Sequence, residues 1–241
     1  MTKSTNRKFP TWDDYYKNEK IDKMPWYNEE LDYDLEEKLN AMQLNKGTFL
    51  DLGTGPGTQA MQLAKKGFDV IGSDISETVI KRNKIIYENK YHNIKFVVDN
   101  ILDSDFKDNY FDYIFDRGCF HVFSGEDRPK YYNQIKRILK QKGILFLKCF
   151  SIDEPMKDGP YRFSHNDIHD IFSKNFQIND IKKTVYQGTL DPLPKALFSV
   201  MKLIKKNNNN TTFRNVRYDS IFLNQTSTRN NPSRLESQSL S

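Results

Sequence analysis

A chain of 241 residues is long enough to bury one full core and too short for two comfortable domains. Its formal charge of +5 comes from 37 basic against 32 acidic residues, but residues 205–241 alone hold six basic and two acidic side chains, so the body is close to neutral and lacks the footprint of a nucleic-acid binder. Cys119 and Cys149 are too few for a disulfide framework, no apolar run approaches bilayer length, and the polar first 25 residues do not read as a signal peptide; the expectation is a cytoplasmic protein with no membrane partner, a monomer or weak dimer.

Residues 1–28 are polar and aromatic without a clean period and read as an arm that packs on a domain. From Glu29 the spacing of Leu31, Leu35 and Leu39 predicts a helix, which opens a domain running to residue 206. TFLDLG (48–53) is a buried strand entering glycines. A helix over about 58–66 leads to the strand FDVIGSD (68–74), and a helix over 76–89 leads to IKFVVD (94–99). The strand FDYIFD (111–116), a helix over 128–140 and the strand GILFLKCF (143–150) continue the alternation, while 176–186 and 195–204 read as two strands joined by a Gly and Pro loop. Such a pattern predicts an α/β fold: a Rossmann-like three-layer sandwich on a seven-stranded, mostly parallel sheet whose last strand is antiparallel. Residues 207–241, rich in Asn and Ser, read as a disordered tail.

DLGTGPGTQA (51–60) leaves a strand, turns through Gly53, Gly55 and Gly57, and enters a helix, an arrangement that lets backbone N–H groups approach a ligand closely. The spacing is G-x-G-x-G with Asp51 at the mouth. Asp51 would repel the pyrophosphate of an NAD(P)-dependent oxidoreductase, and it suits the ammonium of S-adenosylmethionine. Asp74, at the end of the second strand, has two oxygens for two ribose hydroxyls. Asp99 or Asn100, at the end of the third, pairs with the adenine amino group, with Ile75 and Ile101 over the ring faces. Methionine, ribose and base contacts thus fall in order on three strand ends, Thr54 lying within the loop that begins them.

With these residues in view the chain resembles a class I S-adenosylmethionine-dependent methyltransferase over about residues 12–204. More narrowly, Trp12 with Tyr15 and Tyr16, MPWY (24–27), EDRPKYY (126–132) and DGPYRFS (158–164) are similar to the thiopurine and thiol methyltransferase group. That resemblance implies a small-molecule substrate, a thiol or similar soft nucleophile, and an N-terminal arm that lays Trp12 and Trp26 against the cofactor.

The fourth strand ends in DRGCFH (116–121), on the acceptor side of such a pocket. The turn lacks the Asn/Asp-Pro-Pro-aromatic pattern that accepts planar amines, which favours small acceptors. Asp116 is a candidate to hold the cofactor ammonium or orient the acceptor, with capping of the turn as its structural role, and His121 is a candidate base, with a hydrogen-bonded wall residue as its more ordinary role. Arg117, Lys148 and Arg162 are candidates for an anionic acceptor, though solvated surface charge is the ordinary fate of such residues. Cys119 and Cys149 lack the third soft ligand a metal site wants and read as buried small side chains. The alternative acceptor is a protein or RNA docked on the basic tail.

Overall fold

The computed structural model describes residues 11–155 and 159–204; the expected disordered tail lies outside the described residues. Eight strands form one sheet: β1 (Thr48–Leu52), β2 (Asp69–Asp74), β3 (Ile94–Val98), β4 (Phe111–Arg117), β5 (Leu139–Ser151), β6 (Arg162–Phe163), β7 (Phe176–Val185) and β8 (Lys195–Leu203). Seven run in the order β3-β2-β1-β4-β5-β8-β7, and the two-residue β6 pairs with β5 off that path. Strands β1 to β5 pair in parallel, whereas β8 is antiparallel to both β5 and β7. The Rossmann-like fold with an antiparallel last strand is therefore present.

Helices α1 (Trp12–Asn18), α2 (Tyr33–Ala41), α3 (Thr58–Lys65), α4 (Glu77–Asn83), α5 (Arg128–Ile138) and α6 (His165–Phe172) flank the sheet. Because strand side chains alternate between faces, β4 and β5 feed two separate cores. Ile114, Leu145, Leu147 and Cys149 pack with Tyr131 and Ile135 of α5 and Ile168 and Phe172 of α6. Phe115 and Phe146 join Leu35 and Leu39 of α2, Leu63 of α3 and Ile80 of α4 on the other face. The same alternation turns Asp116 toward α5, where it meets Tyr131, and turns Arg117 and Lys148 toward the start of α2.

Three departures from the periodicity have local causes. The helix expected to reach residue 89 is α-helical only to Asn83 and continues as one π-turn over Lys84–Glu88, whose Glu88 carboxylate accepts from the Phe96 N–H at 2.6 Å. Helix α1 was not expected because none of its residues is fully buried and its contacts are aromatic. Helix α6 was not expected either; it is eight residues long and is started by a capping box between Ser164 and Asp167.

Candidate active site

Strand β1 delivers Asp51, buried at 2% exposure, to the foot of the glycine loop. Its Oδ2 accepts from the Thr54 hydroxyl at 2.5 Å and from the Ala60 N–H at 3.1 Å, so one oxygen ties the loop to the first turn of α3. Its Oδ1 has no hydrogen bond within the described residues. Burial pushes the Asp51 carboxyl up to about 6, against those two bonds and the nearby Arg117 charge. Gly55 and Gly57 hold φ of 48° and 77°, the left-handed region that favours glycine, and the Thr54 N–H reaches across to the Ser73 carbonyl of β2 at 2.8 Å.

Asp74 closes the next strand. Its Oδ2 accepts from the Gly55 N–H at 3.0 Å and its Oδ1 from the Ser76 N–H at 2.9 Å. Each oxygen keeps a further lone pair, and burial raises this carboxyl to about 6 as well. Beyond β3 the two candidates for adenine separate. Asn100 is exposed and its side chain accepts from the Leu102 N–H, capping a short 3-10 turn. Asp99 accepts from the Asp105 N–H through Oδ1 at 3.1 Å, whereas its Oδ2 is buried with no partner, and burial raises its pKa. Ile75 stands 54% exposed at this rim. Ile101, expected beside it, is 4% exposed and belongs to the core; the other exposed apolar side chain here is Val98 at 52%.

The arm lies on this mouth. A Cβ on Gly55 would sit 2.7 Å from the Tyr16 Oη and 3.7 Å from the Trp26 Nε1, so the arm's side chains rest directly on the loop. Trp26 packs against Tyr15 and Trp12 at ring-centroid distances of 5.4 and 5.8 Å, which leaves Trp12 one ring removed from the glycines. Asp13 fastens the arm by accepting from the Ser76 hydroxyl and the Thr78 N–H at the start of α4, and its bond with Lys17 heads the contacts that hold its pKa well below the usual carboxylate range. Tyr16 and Asp13 were not among the expected site residues. The aromatic pair at 15 and 16 was the available signal, but nothing in its spacing distinguishes the residue that faces the loop.

Of the two roles open to it, Asp116 has the geometry of capping the turn. It is fully buried; its carboxylate accepts from the N–H groups of Gly118, Cys119 and Phe120 and from the Tyr131 hydroxyl at 2.7 Å. Burial raises it to about 6, with Tyr131 and the backbone opposing. With so many donors converging on it, Asp116 is a positioning residue that shapes the turn, not a group that meets ammonium or acceptor. The turn it shapes touches the glycine loop: a Cβ on Gly53 would lie 3.2 Å from the Cys119 Cβ. Cys149 is buried in the core and Cys119 is packed against its edge.

His121 is not arranged as a base. It is 6% exposed, its Nδ1 accepts from the Phe150 N–H at 3.1 Å, and burial lowers its pKa to about 3. The ring is neutral at ordinary pH, and the lone pair that would take a proton is already engaged.

The three basic residues offered to an anionic acceptor are engaged too. Lys148, at 0% exposure, reaches Asp32 at 2.7 Å and Asp34 at 2.7 Å. Burial works against the Asp34 carboxylate, yet Lys148, Lys182 and Thr184 hold its pKa below the ordinary value. Arg117 reaches Asp32 at 2.9 Å, donates to the Trp26 carbonyl at 3.0 Å and also donates to the Gln187 carbonyl. Arg162 donates to the Glu154 carbonyl. Neither Arg117 nor Lys148 is a solvated surface charge; with Asp32 and Asp34 they form a compensated buried cluster.

An open parallel sheet with a glycine loop after its first strand and carboxylates at the next two strand ends defines a Rossmann-like methyltransferase. Residues 44–217 match the family model described as a methyltransferase domain, and the chain belongs to that family. It is an S-adenosylmethionine-dependent methyltransferase. Among its relatives, an uncharacterised protein of Methanocaldococcus jannaschii is 35% identical over 160 residues, 65% of this chain and 64% of that protein. The human EEF1A lysine methyltransferase 2 is 31% identical over 134 residues, 51% of this chain and 56% of the human one. Both matches span less than two thirds of the relative. A solved structure concerned with conversion of a disulfide bond into a thioacetal group during echinomycin biosynthesis superposes with a TM-score of 0.68 at 22% identity, covering 80% of this chain and 91% of that one. Among the described residues, no helix is long and apolar enough to cross a membrane.

The residues fit the cofactor. A buried, partnerless Asp99 oxygen and an unengaged Asp51 oxygen both ask for donors, and side chains on the loop glycines would collide with Cys119, Tyr16 and Asn83.

Proposed function

We propose that the protein transfers the methyl group to a small-molecule acceptor, a thiol or another soft nucleophile, as in the thiol methyltransferase group it resembles. The observation that carries this reading is the fence around the acceptor end. The Thr189 N–H donates to the Pro25 carbonyl at 3.1 Å, and Arg117 donates both to Trp26 and to Gln187, so the N-terminal segment and the β7–β8 loop are sewn together over the β4 turn. A polymer needs an open-ended groove, which this seam obstructs.

S-adenosylmethionine, when bound, would supply an electrophilic methyl carbon on a sulfonium. Asp51 would receive its ammonium, Asp74 its ribose hydroxyls and Asp99 its adenine amino group, with Ile75 beside the base and Tyr16 and Trp26 at the glycine loop. Alignment then does most of the remaining work, up to roughly 7 to 11 kcal/mol in favourable cases. Neither Asp116 nor His121 is free to remove a proton, which favours an acceptor that ionises by itself, as a thiol does. The activity belongs to a reducing cytoplasm, where Cys119 and Cys149 remain thiols.

Labelled methyl transfer from S-adenosylmethionine to a panel of thiols, halides, selenium and arsenic species and small amines tests the reading. The expected result is saturable transfer to a thiol or similar soft acceptor. Label appearing only in protein or RNA would overturn it. The human lysine methyltransferase relative gives that second reading its support; loss of turnover on deleting residues 207–241 would favour it.

A further inference from the structure

Resting on the methyltransferase reading above, we infer that His121 is a hydrogen-bond donor that selects the acceptor: its Nε2–H, held in one tautomer by the Phe150 backbone, lies beside Gly118 and binds a lone pair on the incoming molecule. Three observations carry this. Nδ1 accepts from the Phe150 N–H, a group that can only donate, so the ring proton must reside on Nε2. Nε2 has no hydrogen-bond partner among the described residues, although the side chain is 94% buried (6% exposed). Nε2 is not among the fully enclosed polar atoms that lack a partner, so it keeps the access that a ligand atom needs. Finally, Nε2 lies beside Gly118, where a side chain is missing. A Cβ on Gly118 would sit 3.1 Å from it, and Gly118 takes φ of 110°, a conformation that keeps the position glycine.

The surroundings define what fits. Phe150 and Tyr186 place their ring centroids 4.8 and 5.7 Å from that of His121 and 5.1 Å from each other, an aromatic wall beside the donor. Tyr186 is the titratable side chain that faces the ring; its hydroxyl lies 3.4 Å from Nδ1 but donates to the Lys148 carbonyl at 2.6 Å. Burial alone keeps the imidazole neutral. Gly118 adjoins Cys119, which contacts Gly53, so the donor sits one residue from the methionine end of the cofactor site. The acceptor is therefore a small molecule that arrives already deprotonated, with a lone pair for the donor and an apolar body for the aromatic wall. Its own proton leaves to solvent beforehand; a second lone pair forms the bond to the methyl carbon as the cofactor's carbon–sulfur bond breaks and leaves its pair on sulfur.

Long-range proton–nitrogen NMR on the full chain with S-adenosylhomocysteine bound reads the tautomer. The expected result is one Nε2–H form across pH 5 to 8, with the Nε2 proton shifting downfield when thiophenolate is added. A proton on Nδ1, or a ring that titrates within that range, would overturn the inference. In turnover with thiophenolate, His121→Ala should raise KM roughly tenfold while kcat keeps its pH profile, and His121→Gln, which returns an N–H donor, should recover most of the loss. An unchanged KM in a variant that still binds S-adenosylhomocysteine normally would also overturn it. Failure of thiophenolate to react with the native protein counts against the soft-acceptor reading above, and the tautomer measurement then decides this one independently.

Discussion

The two halves of the sheet treat charge in opposite ways. At the ends of β1, β2 and β3, Asp51, Asp74 and Asp99 are buried or half-buried without a cation as hydrogen-bond partner, and burial raises all three. At the ends of β4 and β5, Arg117 and Lys148 are matched by Asp32 and Asp34 in a cluster that needs nothing further. On the proposed reading the first half is built around a ligand, and its buried carboxylates are under electrostatic stress without one. The second is charge-compensated within itself, and His121 there keeps an Nε2 without a partner among the described residues.

The comparison breaks first at Lys148. Replacing it with Met leaves Asp32 and Asp34 buried with fewer counter-charges and should cost about 3 to 5 kcal/mol, read from chemical denaturation; a loss below 1 kcal/mol would mean that the cluster is not what fixes α2 to the sheet. The cofactor half predicts a pH effect of opposite sense from that of paired carboxylates. Asp51 and Asp74 of that half, together with Asp116 at the end of β4, have folded values near 6 against an ordinary 3.8, so the native chain holds more protons between those values. Through these groups stability of the cofactor-free protein should therefore fall as pH rises from 4 to 6, by on the order of 2 to 3 kcal/mol each; His121, lowered to about 3 from an ordinary 6.5, offsets part of that fall in the same window, while Asp13 and Asp34, whose pKa values are lowered, oppose it only below about pH 4. Stability rising from pH 4 to 6 would contradict the stress assigned to this half.

Asp51→Ala should weaken S-adenosylmethionine binding roughly 100-fold, by loss of a charge-assisted contact, and abolish transfer whatever the acceptor. Calorimetric titration gives the affinity, and an unchanged value would remove Asp51 from the site. The smallest effect is expected of Tyr16→Phe, which takes one hydroxyl from the face of Gly55. An affinity loss of about fivefold, the size of one modest hydrogen bond, would sharpen the arm's part in donor binding; no loss would make the arm a cover without contacts.

This division explains what was legible in the sequence. The donor-side candidates lie within a few positions of strand ends, so local pattern located Asp51, the glycines and Asp74 at one mouth, while it could not choose between Asp99 and Asn100. Acceptor-side roles depend on partners far along the chain: Arg117 on Asp32, Trp26 and Gln187; Lys148 on Asp34; His121 on Phe150. No local spacing announces such pairings, so Arg117 and Lys148 read as solvated or ligand-binding charges and His121 as a base. The fold was easier because alternating strands and helices write it in local periodicity. Helices α1 and α6 escaped, one because it buries no residue fully and the other because it is only two turns long.

The most direct test of the donor half is calorimetric titration of S-adenosylhomocysteine into the full chain at pH 6, in buffers of different ionisation enthalpy. The ligand's ammonium and hydroxyl donors should pull Asp51 and Asp74 back toward their ordinary values, so binding should release protons, and the release should shrink at pH 8, where both are already ionised. Proton uptake, or a binding heat independent of buffer at pH 6, would contradict the claim that these buried carboxylates are held for the cofactor.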